Sequence, residues 1–159
     1  MSDFSFSGFL DAAITEASTR RPPLPAGIEL LGTVGEPKGR EVKSTDQTTG
    51  MEKTSKVIDI PVEIDLTLYP EVMQQQGGIE KLTMTDNLFL DLTPAETIDL
   101  APGKNNKMRK WREATDLNTA GQPFTFRMLQ GRRVKIKISH RVDKATQEIY
   151  DQVGSVTKA

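Results

Sequence analysis

The chain has 159 residues, no cysteine, one histidine (His140) and a formal net charge of −1, enough length for one domain that buries a core without disulfides. Thiol catalysis, Cys-based zinc sites and iron–sulfur clusters are excluded, and a single imidazole argues against a Ser-His-Asp triad or a histidine metal site. The charge is split along the chain: residues 1–100 carry 8 Lys and Arg against 17 Asp and Glu, whereas residues 101–144 carry 12 against 3, an asymmetry that fits a polyanion-binding region or two halves that attract each other.

At the N-terminus, MSDFSFSGFL lacks the basic start and cleavage site of a signal peptide, and no apolar run reaches the ~20 residues that span a bilayer. The chain therefore reads as soluble and cytoplasmic, with no membrane partner. Phe6, Phe9, Leu10, Ala13, Ile14 and Ala17 recur at helical spacing and predict an amphipathic helix over residues 4–17, with Ser7 as N-cap. Such a helix is a candidate for homo-oligomer contacts. Arg20-Arg21-Pro22-Pro23-Leu24-Pro25 is a stiff extended connector. The expected division is an N-terminal helix and Pro-rich arm over 1–25 and a β-barrel domain over 26–159.

A first strand is expected over residues 28–34, followed by a long mobile loop over 35–56, which is polar and rich in Gly, Thr and Lys. Ile58, Ile60, Val62, Ile64, Leu66 and Leu68 then occupy every second position, the signature of a half-buried strand. Pro61 has no amide hydrogen and points to an edge or a bulge within it. Gln74-Gln75-Gln76-Gly77-Gly78 marks a turn, and a third strand is expected over 82–92. The segment 105–115 predicts a helix on which Met108 and Trp111 share a face and Lys104, Lys107, Arg109, Lys110 and Arg112 cover the rest. Residues 124–129 form a connecting element without a clear period. A hairpin closes the chain: 133–142, then a turn at 143–147, then 148–157. The order predicts a mainly β fold, a five-stranded OB-like Greek-key barrel with a helix between strands 3 and 4 and the N-terminal helix in front.

The basic strand carries the strongest functional signal. Arg133, Lys135, Lys137, Ser139 and Arg141 alternate with Val134, Ile136, Ile138, His140 and Val142, so four cations share one face, with Arg132 just before them. A line of cations can track a phosphodiester backbone, and each neutralised phosphate adds salt dependence. The competing structural reading is a solvated face whose charges discourage edge pairing. Single-strand binders add aromatic platforms: Phe124 and Phe126, with Arg127 beside them, are the candidates, Tyr69 and Tyr150 are alternatives that nothing selects, and Trp111, whose basic neighbours invite stacking, is favoured for packing by its spacing from Met108. Asp59, Glu63 and Asp65 share a strand face, with Asp86, Asp91 and Asp99 following, the minimum for a carboxylate metal site. Alternating acids on a wet face are ordinarily only solvated. No GxxxxGK[ST], GxSxG or HExxH motif occurs, and Gly35-Glu36-Pro37-Lys38-Gly39 lacks the strand–loop–helix setting of a phosphate loop.

Five segments carry a resemblance: Leu24-Pro25-Ala26-Gly27, Phe89-Leu90-Asp91-Leu92-Thr93, Asn106-Lys107-Met108-Arg109-Lys110-Trp111-Arg112-Glu113-Ala114, Gly131-Arg132-Arg133-Val134-Lys135-Ile136 and Glu148-Ile149-Tyr150-Asp151-Gln152-Val153. Together they resemble small bacteriophage single-stranded DNA-binding proteins of the OB type, encoded among replication and recombination functions. The resemblance spans about residues 20–158, and the chain departs from many such binders in ending Gly154-Ser155-Val156-Thr157-Lys158-Ala159, without an acidic tail. The expectation is a non-catalytic protein without cofactor or metal that coats single-stranded DNA, or alternatively RNA. Its phosphate contacts would come from Lys107, Arg109, Lys110, Arg112, Arg127, Arg132, Arg133, Lys135, Lys137 and Arg141, and its stacking from Phe124 or Phe126. The rivals are a virion assembly protein docking through the N-terminal helix and a Mg²⁺-dependent nuclease using Asp59 or Asp65.

Overall fold

A computed structural model describes residues 6–159. Among them, six strands form one antiparallel sheet: β1 (Glu29–Val34), β2 (Lys38–Thr45), β3 (Glu52–Asp65), β4 (Lys81–Phe89), β5 (Arg133–Val142) and β6 (Ile149–Lys158). The order is β2-β3-β1-β5-β6, with β4 on the free side of β3. Three helices accompany them, α1 (Phe6–Asp11), α2 (Pro70–Gln75) and α3 (Asn106–Ala114), with single 3₁₀ turns at Leu66–Leu68 and Phe126–Leu129. The protein is mainly β, as expected, but the sheet is not a closed barrel. β4 and β6 approach each other without a backbone ladder between them.

Helix α3 fills that gap. Met108, Trp111 and Ala114 form its buried stripe, and the Trp111 indole N–H donates to the Asp86 carboxylate of β4 at 2.8 Å. The other flank of α3 packs on β6. Trp111 is 1% exposed and therefore belongs to the core, the role its spacing predicted. At the helix start, Asn105 adopts φ 50 and makes no side-chain cap. Its amide instead accepts from the Asp91 N–H and donates to the carbonyls of Asp91 and Asp99, which ties the long loop after β4 to the helix.

The core lies on the inner face of the sheet. Leu30 and Val34 of β1, Ile60, Val62 and Ile64 of β3, Met84 and Leu88 of β4, Val134, Ile136 and Ile138 of β5, and Val153 and Val156 of β6 all meet there. Their alternation is what sequence periodicity registers. Gly32 permits close contact at the centre, since a Cβ there would sit 2.3 Å from Val62 Cγ1.

Residues 35–56 are the main departure from expectation. They form a hairpin rather than a mobile loop, with Lys38–Thr45 paired to 52–59. Both faces of its outer part are exposed, so no hydrophobic alternation betrays it. Between Val34↔Val62 and Lys38↔Asp59, three residues on one side oppose two on the other. The strand pair is therefore bulged there, and Pro61 falls where the ladder is interrupted, consistent with its missing N–H. The strand expected to run to Leu68 ends at Asp65, whose carboxylate accepts the Thr67 N–H and starts a 3₁₀ turn; Leu68 is left exposed. Helix α2 precedes the Gln–Gly turn, and β4 stops at Phe89.

At the N-terminus, α1 is shorter than predicted, and residues 4–5 of the expected helix lie outside the described residues. The connector is fastened to the body. Leu24 is fully buried, and its N–H donates to Asp151 at 2.7 Å. The Arg21 guanidinium grips the same carboxylate through two bonds, at 2.8 and 2.9 Å. Gln76 joins this knot by accepting from Arg21 and donating to the Pro22 carbonyl.

Candidate nucleic-acid interface

β5 is an interior strand, hydrogen-bonded to β1 on one side and β6 on the other. The cations of its outer face therefore do not guard an edge, and of the competing structural reading only the solvated face is left. Arg133 and Lys137 are exposed and Lys135 is half exposed. The register puts Thr33 beside Arg133, Leu31 and Thr157 beside Lys135, and Glu29 and Ser155 beside Lys137. Among the described residues Glu29 is the one acid in register with that row, 3.9 Å from Lys135. β6 thus supplies neutral hydroxyls alongside a cation row, a pairing suited to phosphate oxygens.

A bulge follows Lys137, and Gly154 is the extra residue on β6. A Cβ at Gly154 would lie 2.9 Å from that of Ser139. Beyond the bulge, Arg141 faces Tyr150 in register, and the Tyr150 ring lies under two guanidiniums, Arg20 at 4.4 Å and Arg141 at 5.2 Å. Arg20 also donates to the Ile149 carbonyl at 2.6 Å. The Tyr150 hydroxyl donates to Glu148 at 2.8 Å; that bond, followed by the charge of Glu148, raises its pKa above the ordinary phenol value. Sequence reading singled out neither meeting: Arg141 reaches Tyr150 across the hairpin, and Arg20 comes from far away in the chain.

The remaining cations divide. Lys107 turns to Asp86 at 3.2 Å and to the Asn87 carbonyl. Arg109 lies 3.9 Å from Glu113 one turn on. Lys110 borders a hollow with Thr157 and Lys158, and Thr157 is the register partner of Lys135, so Lys110 stands at the end of the sheet where β5 begins. Arg112 donates to the Leu117 carbonyl and covers the Phe124 ring at 4.7 Å. Phe124 and Phe126 meet edge to face at 5.5 Å, and both pack against the core, half buried. Arg127 and Arg132 are exposed. The structure therefore gathers Arg133, Lys135 and Lys137, sets Arg141 at the far end of the same strand, and leaves α3 and the Phe124–Arg127 segment as separate groups.

The carboxylates are individually engaged. Asp59 meets Arg40 at 2.6 Å and Glu63 meets Lys81 at 3.6 Å. Asp65 caps the 3₁₀ turn, the Asp91 carboxylate accepts the Asn105 N–H, and the Asp99 carboxylate accepts the Ala101 N–H. Among the described residues no group of three or more His, Asp or Glu is placed to hold a metal ion.

Two hollows that sequence reading did not reach flank the start of α3. One, of about 250 Å³, has Asn87, Phe89, Asn106 and Lys107 on its wall. The other, of about 580 Å³, is bordered by Lys104, Arg109 and Arg112 and by no carboxylate. They share Gly103, Asn105, Asn106 and Met108.

No protein-family model matches the chain, and no curated protein matches it. No helix among the described residues is long and apolar enough to cross a membrane.

Proposed function

We propose that this chain is a non-catalytic, single-stranded DNA-binding protein of the OB type. The observation that carries the reading is the row Arg133, Lys135 and Lys137 on the outer face of an interior strand, beside the hydroxyls of Thr157 and Ser155. The pairing scheme supports the fold assignment. Taken as one bent strand, β1 and β2 pair with β3 and β5, β3 pairs with β4, β5 pairs with β6, and a helix links the third strand of that scheme to the fourth. That pairing is what the proposed partly open Greek-key barrel would require. Most of the face that usually binds in that fold, on the second and third strands, here carries Asp59, Glu63 and Asp65, so the reading assigns the main phosphate contacts to the β5–β6 face instead. The resemblance to phage replication and recombination proteins points the same way.

The test is fluorescence anisotropy of a labelled single strand of about 30 nucleotides, against its duplex, over a salt series. The wild type binds the single strand preferentially, and log affinity falls with log salt by about 0.7 per phosphate contact. Removing the charges of Arg133, Lys135 and Lys137 together lowers that slope by about 2 while leaving the melting temperature near wild type. Unchanged affinity and slope in the triple variant refute the assignment. A second reading, an assembly protein docking through α1 and the residues after it, is favoured by the exposure of Leu10 on the helix and Ile14 beyond it; it calls for co-purification with particles instead of nucleic acid.

A further inference from the structure

The outward residues of β4 are Lys81, Thr83, Thr85, Asn87 and Phe89. The first four are what a wet strand face requires. Phe89 is not, yet it is 58% exposed. It pairs with Val57, which is buried, and Arg40 stands one strand further on. Phe89 forms part of the wall of the smaller hollow at the start of α3. Asn87 and Asn106 lie on the same wall; the Asn87 side-chain amide has no partner among the described residues, and Asn106 spends one N–H on the Gly103 carbonyl. Asp91, the carboxylate on that wall, accepts the Asn105 N–H. The adjoining hollow adds Lys104, which has no ion pair among the described residues, together with Arg109 and Arg112.

An open aromatic face, two primary amides within one hollow and a neighbouring cationic hollow together match one class of ligand. A nucleobase stacks on an aromatic ring, offers donors and acceptors to amides along its edge, and brings an anionic phosphate with it. A purely apolar ligand would leave the amides unpaired, and a bare anion would not use the ring. We propose that Phe89 is a base-stacking platform of a nucleotide subsite between the end of β4 and the first turn of α3, with Asn87 and Asn106 facing the base edge and Lys104 and Arg109 the phosphate. The subsite rests on the single-strand reading and extends it, because the β5 row grips phosphates without regard to bases. Through Thr33 and Glu63 the register sets Arg133 level with Thr83, and Phe89 lies further along β4 toward the end of the sheet where β5 begins, so a strand that runs over that end can engage both.

The experiment compares an ordinary oligodeoxynucleotide with one of equal length and charge that contains abasic positions, on the wild type and on Phe89→Leu. Leucine keeps the cover over Val57 and removes the π-face, and matching melting curves certify the fold. The wild type discriminates against the abasic strand by about tenfold, the scale of one lost base stack, and Phe89→Leu binds both strands alike with the wild-type salt slope. Equal binding of both strands by the wild type overturns the subsite, as does continued discrimination by Phe89→Leu; both outcomes leave the β5 reading standing. No binding of either strand at low salt overturns the β5 reading, and the subsite with it.

Discussion

Asp151 is the acceptor on which the N-terminal connector closes, and Asp151→Asn isolates its contribution. Its side chain is 9% exposed and accepts three hydrogen bonds, two from Arg21 and one from the Leu24 N–H, at 2.7 to 2.9 Å. Asparagine keeps one acceptor, loses the charge and turns an N–H₂ toward donors. Breaking a fully buried pair costs about 3–5 kcal/mol, but Arg21 is 31% exposed and recovers part of that in water, so the expected loss is about 2–4 kcal/mol. At about 2–4 °C per kcal/mol for a chain of this size, the melting temperature falls by about 4–16 °C. The pH dependence provides a second readout. Burial pushes the Asp151 carboxyl up, but the Arg21 bonds, the Leu24 amide and the Arg21 charge outweigh it and hold the pKa below the ordinary carboxylate value. A depressed pKa means that the unfolded chain binds the proton more readily, so this stabilisation is complete above the unfolded value, near 3.9. It disappears as pH falls through the folded value. Urea melts of both proteins at neutral and acid pH measure it, and Asp46, Asp65 and Asp143, whose pKa values are also lowered by local hydrogen bonds, cancel in the difference. A variant within 0.5 kcal/mol of wild type at pH 7, where about 2–4 is expected, refutes the argument. So does a gap that persists once Asp151 is protonated.

Two further stability measurements follow from the same structure. Asp86→Ala strips the Trp111 N–H and Lys107 of their acceptor; with the indole buried it costs about 2–3 kcal/mol in a urea melt, whereas Lys107→Ala, whose side chain is 61% exposed, costs under about 1. Deleting residues 1–19 leaves the melting temperature within a few degrees of wild type, since the described residues up to Thr19 are all exposed. Deleting residues 1–25 removes Arg21 and Leu24 and lowers it by far more, a contrast that differential scanning calorimetry reads directly.

The parts of this fold that were legible in the sequence are those in which one face is buried. Ile60, Val62 and Ile64 announced β3, Val134, Ile136 and Ile138 announced β5, and Met108 with Trp111 announced α3, because burial of one side imposes a period. The β2–β3 hairpin was read as a loop because its outer part buries neither face; what holds it is the backbone ladder and a turn in which Asp46 accepts the Thr48 and Thr49 amides. Leu24 was invisible for another reason. A lone apolar residue between prolines has no period, and its burial depends on Asp151 and His140, the latter 2.6 Å from its carbonyl. Of the site, the cation row was legible from alternation. Arg20 beside Tyr150 and Phe89 beside Asn106 were not, since both meetings depend on segments brought together only by the fold.

The uneven charge along the sequence has a spatial counterpart that bears on how a polyanion would approach. If the acidic first hundred residues served only to neutralise the basic segment, ion pairs between the two would be numerous. Among the described residues two cross that boundary, Lys107–Asp86 and Lys135–Glu29. The acids of β3 are instead answered within their own half, Asp59 by Arg40 and Glu63 by Lys81, while Arg132, Arg133, Lys137 and Lys110 have no ion pair among the described residues. The fold therefore keeps the two charge populations apart, with acids on the outer face of β3 and cations on that of β5. A molecule of net charge −1 with that separation repels a polyanion from one side and draws it to the other, so encounter is oriented before contact. Near-neutral net charge is thus compatible with the proposed DNA binding, under which added salt, by screening both poles, would slow oriented capture as well as weaken phosphate contacts.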